Sequence, residues 1–100
     1  MEKQHIDILL KGNIRNIGFA FQTLRAADKL QISGYIKYMG SDTVKIAAEG
    51  KTESLDAFVG WCKAGVPEAG NVNVQVTANS VSNYKQFTII DNQIINSKLN

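Results

Sequence analysis

Scarcity of reactive residues sets the first bounds. The 100-residue chain holds one cysteine, one histidine, one proline and one tryptophan. A lone cysteine, Cys62, forms no internal disulfide, which fits a reducing compartment. A lone histidine, His5, with no cysteine cluster or ligand-like carboxylate spacing around it, offers no metal site. Neither a metal nor a cofactor is expected. Charge of one sign is also missing: 11 lysines and arginines against 9 acids leave a net charge of +2, with the cations scattered, so nucleic acid is not indicated as a partner. Long apolar runs are absent as well. Met1-Glu2-Lys3-Gln4-His5 leads into a strand-like segment too short and too charge-interrupted for a signal peptide or membrane span, so the expected address is cytoplasmic, without a membrane partner.

What is present suits an ordinary globular domain: 44% hydrophobic and 20% charged residues, with regular apolar periodicity and no repeat or low-complexity segment. A chain of this length buries only roughly 60 to 70% of its unfolded surface, so one continuous core is expected.

His5 to Lys11 alternates, Ile6, Ile8 and Leu10 against His5, Asp7, Leu9 and Lys11, as a half-buried strand does. Gly18 to Leu30 changes to helical spacing through Phe19, Thr23, Ala26 and Leu30. Gly34 to Met39 and Thr43 to Gly50 read as strands of an antiparallel hairpin around the turn residues Gly40-Ser41-Asp42. Thr52 to Ala64 carries the clearest apolar stripe, Leu55, Phe58, Val59 and Cys62, with Thr52 or Ser54 as its cap and Gly65 and Pro67 as its stop. Val72 to Thr77 and Tyr84 to Ile90 complete a β-α-β-β-α-β-β order, and Asp91 to Asn100 reads as a frayed tail. Right-handed crossovers then place both helices on one face of a mostly antiparallel sheet, an α+β ferredoxin-like sandwich with an extra C-terminal strand.

The segment Leu10-Lys11-Gly12-Asn13-Ile14-Arg15-Asn16-Ile17-Gly18-Phe19-Ala20 resembles the phosphate-binding loop of the acylphosphatase family. Leu10, Gly12 and Phe19 match that family's pattern, Ile14 and Ile17 stand in for valines, Arg15 replaces a glutamine, Asn16 a glycine, and Ala20 the catalytic arginine. A second family pattern falls on Gly34-Tyr35-Ile36-Lys37-Tyr38, with Tyr38 where the catalytic asparagine belongs and Asp42 where a glycine does. Further likeness runs through Val44 to Gly50, Leu55-x-x-Phe58-x-x-Trp61, Gly65 to Ala69 and Tyr84-x-x-Phe87-x-Ile89, so the resemblance spans residues 5 to 90, with one inserted residue near Gly70-Asn71.

The resemblance implies the same sandwich and a family reaction, hydrolysis of a carboxyl-phosphate mixed anhydride, in which the arginine grips the phosphate and the asparagine orients water. Here both positions are substituted, so the expectation is a chain that has lost hydrolysis and persists as a binding or interaction module. Arg15, Asn16, Ile17, Gly18 and Phe19 are the candidate anion-binding loop, since consecutive backbone N–H groups at a helix N-terminus make a concavity suited to phosphate or another small anion. Of the nearby cations, Arg25 is five residues past Ala20 and about 140° around the helix. Lys37 alternates away from Tyr38. Arg15 is left as the donor for an alternative reading, a low-activity acylphosphatase using Arg15 and the loop amides. Ala20 and Tyr38 also suggest a volume exchange, the tyrosine ring filling space that an arginine would occupy.

RNA binding on the open sheet face is a remote alternative, because the third strand lacks the aromatic on which bases would stack. His5 reads as a partly exposed strand residue, Cys62 as a buried hydrophobe and Trp61 as packing. Asp7, Asp28, Asp42, Glu49, Asp56 and Glu68 show no recognisable acid/base pairing in the sequence.

Overall fold

Alternation in the first strand decides which face of the sheet is the inner one. The computed structural model describes residues 3–12, 18–40, 42–64 and 72–90. Within them run β1 (Gln4–Lys11), α1 (Phe19–Lys29), β2 (Ser33–Tyr38), β3 (Thr43–Gly50), α2 (Thr52–Ala64), β4 (Asn73–Asn79) and β5 (Phe87–Ile90). The strands form one sheet in the order β4-β1-β3-β2-β5, antiparallel except where β5 runs parallel to β2. Ile8 and Leu10 of β1, Ile36 of β2, and Val44, Ile46 and Ala48 of β3 point to the inner face and join Phe19, Ala27, Leu55, Phe58 and Cys62 of the two helices in one buried cluster. Both helices therefore cover the same face, giving the expected ferredoxin-like α+β sandwich.

The boundaries of β3 and α2 agree with the sequence expectation. The N-cap of α2 differs: the Leu55 N–H bonds the Lys51 carbonyl at 2.9 Å, so Lys51 holds the cap position and Thr52 begins the helix. Gly65, Pro67 and the Gly70-Asn71 insertion lie outside the described residues, as does the tail from Asp91. The fifth strand is shorter than expected, beginning at Phe87 instead of Tyr84. The Tyr84 N–H is drawn to a carboxylate of β3, and Asn83 adopts a positive φ of 63°, so the chain turns there before pairing with β2.

In α1 the Thr23 hydroxyl is fully buried but donates to the Phe19 carbonyl at 2.8 Å, which satisfies it inside the helix's own backbone. Trp61 stacks on Phe19 and Phe58, with ring centroids 5.7 and 6.2 Å away, and joins the helices over the sheet. Cys62 is fully buried, and desolvation pushes its thiol up to about 12. A thiol reagent should therefore label native Cys62 only through local opening, far more slowly than in denaturant. Equal rates in both conditions, measured by mass spectrometry, would contradict this orientation of α2.

Candidate functional site

The ends of β1 and β2, the β2–β3 hairpin and the start of α1 share one rim of the sheet, because β1 and β2 both run antiparallel to β3. The Gly12 N–H donates to the Asp42 carbonyl at 2.9 Å, tying the exit of β1 to the hairpin. Residues 13–17, which hold Arg15, Asn16 and Ile17 of the candidate loop, lie outside the described residues. Its far end is described. Gly18 caps α1 in the left-handed region, φ 69° and ψ 21°, which glycine adopts without strain, and as a glycine it supplies no side-chain cap bond to the first turn. That turn also carries no acid. The positive end of the helix dipole is thus left uncancelled by any side chain of the turn.

Ala20 follows at 7% exposure, a member of the apolar cluster, and Tyr38 at the end of β2 is half-buried and packed against the same cluster. Arg25 is exposed further along α1, and Lys37 lies on the opposite, open face of the sheet beside Tyr35. Neither is aimed at the rim by its element. Two large apolar side chains are exposed at this end, Phe21 at 69% and Met39 at 52%.

The open face holds a cluster that the sequence expectation missed. His5 is buried, at 6% exposure, where a partly exposed strand residue was expected, and two of the acids, Asp7 and Glu49, bond to it. The register sets His5 of β1 directly opposite Glu49 of β3. The His5 Nδ1 donates to the Glu49 carboxylate at 2.7 Å and its Nε2 to Asp7 at 2.9 Å. Only the imidazolium has a proton on both nitrogens, so this geometry belongs to the charged form. Burial opposes that charge, but the hydrogen bonds to Glu49 and Asp7 and their negative charges outweigh it and hold the His5 pKa above its ordinary value. Glu49 has no exposed surface. Burial pushes its pKa up, and the bond from His5 with those from the Ser82 and Tyr84 N–H groups brings it below the usual range. The other Asp7 oxygen accepts from Asn79 at 3.0 Å. The signal available in the sequence was weak: a histidine and an aspartate on the same strand face, and an acid at the end of a strand otherwise apolar from Ile46 to Ala48.

Aromatic platforms on the open face are few. Thr43, Lys45, Ala47 and Glu49 are the residues that β3 presents there, and Tyr35 of β2 is engaged by the Tyr84 ring edge-on at 5.9 Å and by the Lys45 ammonium over its face at 5.9 Å. The described residues contain no group of histidines, cysteines and acids able to hold a metal ion, and no described helix is long and apolar enough to cross a membrane.

The whole described sheet matches known proteins. The acylphosphatase family model matches residues 6–89. An acylphosphatase from Archaeoglobus fulgidus is 34% identical over 84 residues, covering 84% of this chain and 94% of the relative. The structure of an acylphosphatase from Coxiella burnetii superposes with a TM-score of 0.83 at 24% identity, over 88% of this chain and 93% of that one. One from Bacillus subtilis gives 0.76 at 27%, over 88% and 99%. With the family match running from within β1 to within β5, this chain belongs to the acylphosphatase family.

Proposed function

We propose that this chain has lost the hydrolysis of carboxyl-phosphate mixed anhydrides and serves as a binding or interaction module whose loop from Arg15 to Phe19 takes up phosphate or a similar anion weakly. The observation that carries the reading is Ala20. It occupies the position of the family arginine, its methyl group is buried in the apolar cluster, and no cation is placed there by α1. A phosphoryl group passes through a charge-rich, in-line transition state, and losing the cation that stabilises it costs about 10³ to 10⁵ in rate in related chemistry. Tyr38 in place of asparagine deprives the water of an amide that both donates and accepts. The first turn of α1, with a glycine at its cap and no acid within it, supports the anion site that is left, since backbone amides need no particular side chain to bind a phosphate. A cytoplasmic location belongs to the same reading, supported by the buried free thiol of Cys62.

The test has two arms. The unmodified protein should hydrolyse acetyl phosphate barely above the uncatalysed rate, and inorganic phosphate should shift the amide resonances of Arg15 to Phe19 more than any others. Robust turnover would instead favour a working enzyme that relies on Arg15, the second reading. A titration that moves no amide of the loop would remove the anion site.

A further inference from the structure

The connection from β4 to β5 has to cross the whole sheet. β4 and β5 are the two outer strands, and residues 80–86 pass from one edge to the other at the end where β1 begins and β3 finishes. Four strand spacings of about 4.8 Å make roughly 19 Å, well within the reach of the chain from Asn79 to Phe87, so the crossing is not held by tension. It is pinned near its middle instead. The Ser82 and Tyr84 N–H groups both donate to the Glu49 carboxylate, the Tyr84 ring lies against Tyr35, and at the near end the Asn79 amide bonds Asp7. Both acids are bridged by His5. Three strands and the crossing segment thus meet at one imidazole.

We propose that residues 80–86 form a strap over the open sheet face whose closure depends on the proton that His5 shares with Glu49 and Asp7, so that alkaline pH releases it. The imidazole lies against Asp7 of its own strand, Glu49 of β3 and the Tyr84 ring of the strap, and next to these groups come Asn79 of β4, bonded to Asp7, Tyr35 of β2, against Tyr84, and Lys45 of β3, over Tyr35. Neutral imidazole has one donor for two carboxylates, and its bare nitrogen lone pair then faces a carboxylate oxygen. Glu49 is left as a buried anion without its charge partner, a state that solvation relieves once Ser82 and Tyr84 move away. Lys45 acts on Asp7 but not on Glu49, and its ammonium lies over the Tyr35 ring, so it does not replace the charge lost beside Glu49.

The sign follows from the directions of the pKa shifts. His5 is raised above 6.5, so its contribution is complete below 6.5 and fades as pH rises through the raised value. Glu49 and Asp7 are lowered from 4.5 and 3.8, so theirs is complete above those values and fades as pH falls through the lowered ones. The strap is held best between the two limits. Its far end, Lys85 and Gln86, lines a surface cleft together with Leu24, Asp28, Ile32 and Phe87. Release therefore uncovers the Tyr35–Glu49 corner and removes one wall of that cleft.

The experiment follows the His5 ring C–H and the Ser82 and Tyr84 amides by NMR from pH 5 to 9 on the full chain, with trypsin cleavage after Lys85, scaled to its rate on denatured chain, as a second readout. The expected result is one shared midpoint above 6.5, with cleavage rising at least tenfold across it while the core amides of β1 and β3 stay protected. Asp7→Asn removes one of the two charges on the imidazole and should move all these midpoints down together. His5→Gln should abolish the alkaline transition. Ser82 and Tyr84 amides that ignore the His5 titration, cleavage that does not change with pH, or midpoints unmoved by Asp7→Asn would each overturn the proposal. Loss of core protection at the same pH would do so too, since the event would then be unfolding.

Discussion

Ala20→Arg together with Tyr38→Asn is expected to raise acetyl phosphate hydrolysis about 10²- to 10³-fold above the unmodified chain, part of the roughly 10³ to 10⁵ that such a cation supplies. Only part is expected because Asn16 and Arg15 also depart from the family loop. Neither single change should suffice. Ala20 belongs to the apolar cluster and Tyr38 packs against it, so arginine alone forces a long cation into filled space, at about 1 to 3 kcal/mol. Tyr38→Asn alone leaves a gap and no cation. If the tyrosine occupies the volume an arginine would take, the double variant should be more stable than the sum of the single effects by about 0.5 to 3 kcal/mol, the usual range for coupled neighbours. Denaturant melts of all four proteins measure this. Additive stabilities would rule out the volume exchange even if hydrolysis appeared, and a stable double variant without hydrolysis would show that the loop itself no longer positions phosphate.

Gly34→Ala should be the most damaging single substitution in the sheet. At φ 137° a side chain is strained whatever the space, and an added Cβ would sit 1.8 Å from the Ala47 carbonyl oxygen and 2.7 Å from its carbon, both backbone atoms of the central strand β3. No rotamer change relieves a clash with backbone, so β2 must lose its register with β3. A loss above about 4 kcal/mol is expected, which at about 4 to 8 °C per kcal/mol for a domain of this size lowers the melting temperature by more than roughly 16 °C. Gly60→Ala provides the contrast. It lies exposed in α2 with no atom within 4 Å of the added Cβ, and alanine there should stabilise by about 0.5 to 1 kcal/mol. Circular dichroism melts of the two variants check both signs, and a Gly34→Ala protein melting within a few degrees of the parent would mean that the β2–β3 approach is looser than described.

Such contrasts separate what is local from what is not. Period-2 alternation in β1 and the stripe of Leu55, Phe58 and Cys62 were legible because each of these elements reports its own buried face through spacing alone. The element order followed from those periods, and the substituted site positions Ala20 and Tyr38 were readable from motif spacing, with no knowledge of what surrounds them. Even the positions of Gly18 and Gly34 were marked, although the reason for the second, a β3 backbone too close for any Cβ, is a fact of packing.

The His5 cluster belongs to the other kind. His5 and Glu49 are 44 residues apart, and Glu49 and Ser82 are 33 apart. No periodicity relates them, and a histidine on the polar side of an alternating strand is correctly expected to face away from the helices. What buries it is the strap, a segment with no apolar pattern, whose course is set by β4 and β5 taking opposite edges of the sheet. Sequence alone determined the faces of the elements, their order and the substitutions at Ala20 and Tyr38, since each depends on neighbours along the chain. Tertiary structure alone decided that the open face carries a buried ion cluster, because cross-strand register and the path of a connection bring together charges that local spacing keeps apart.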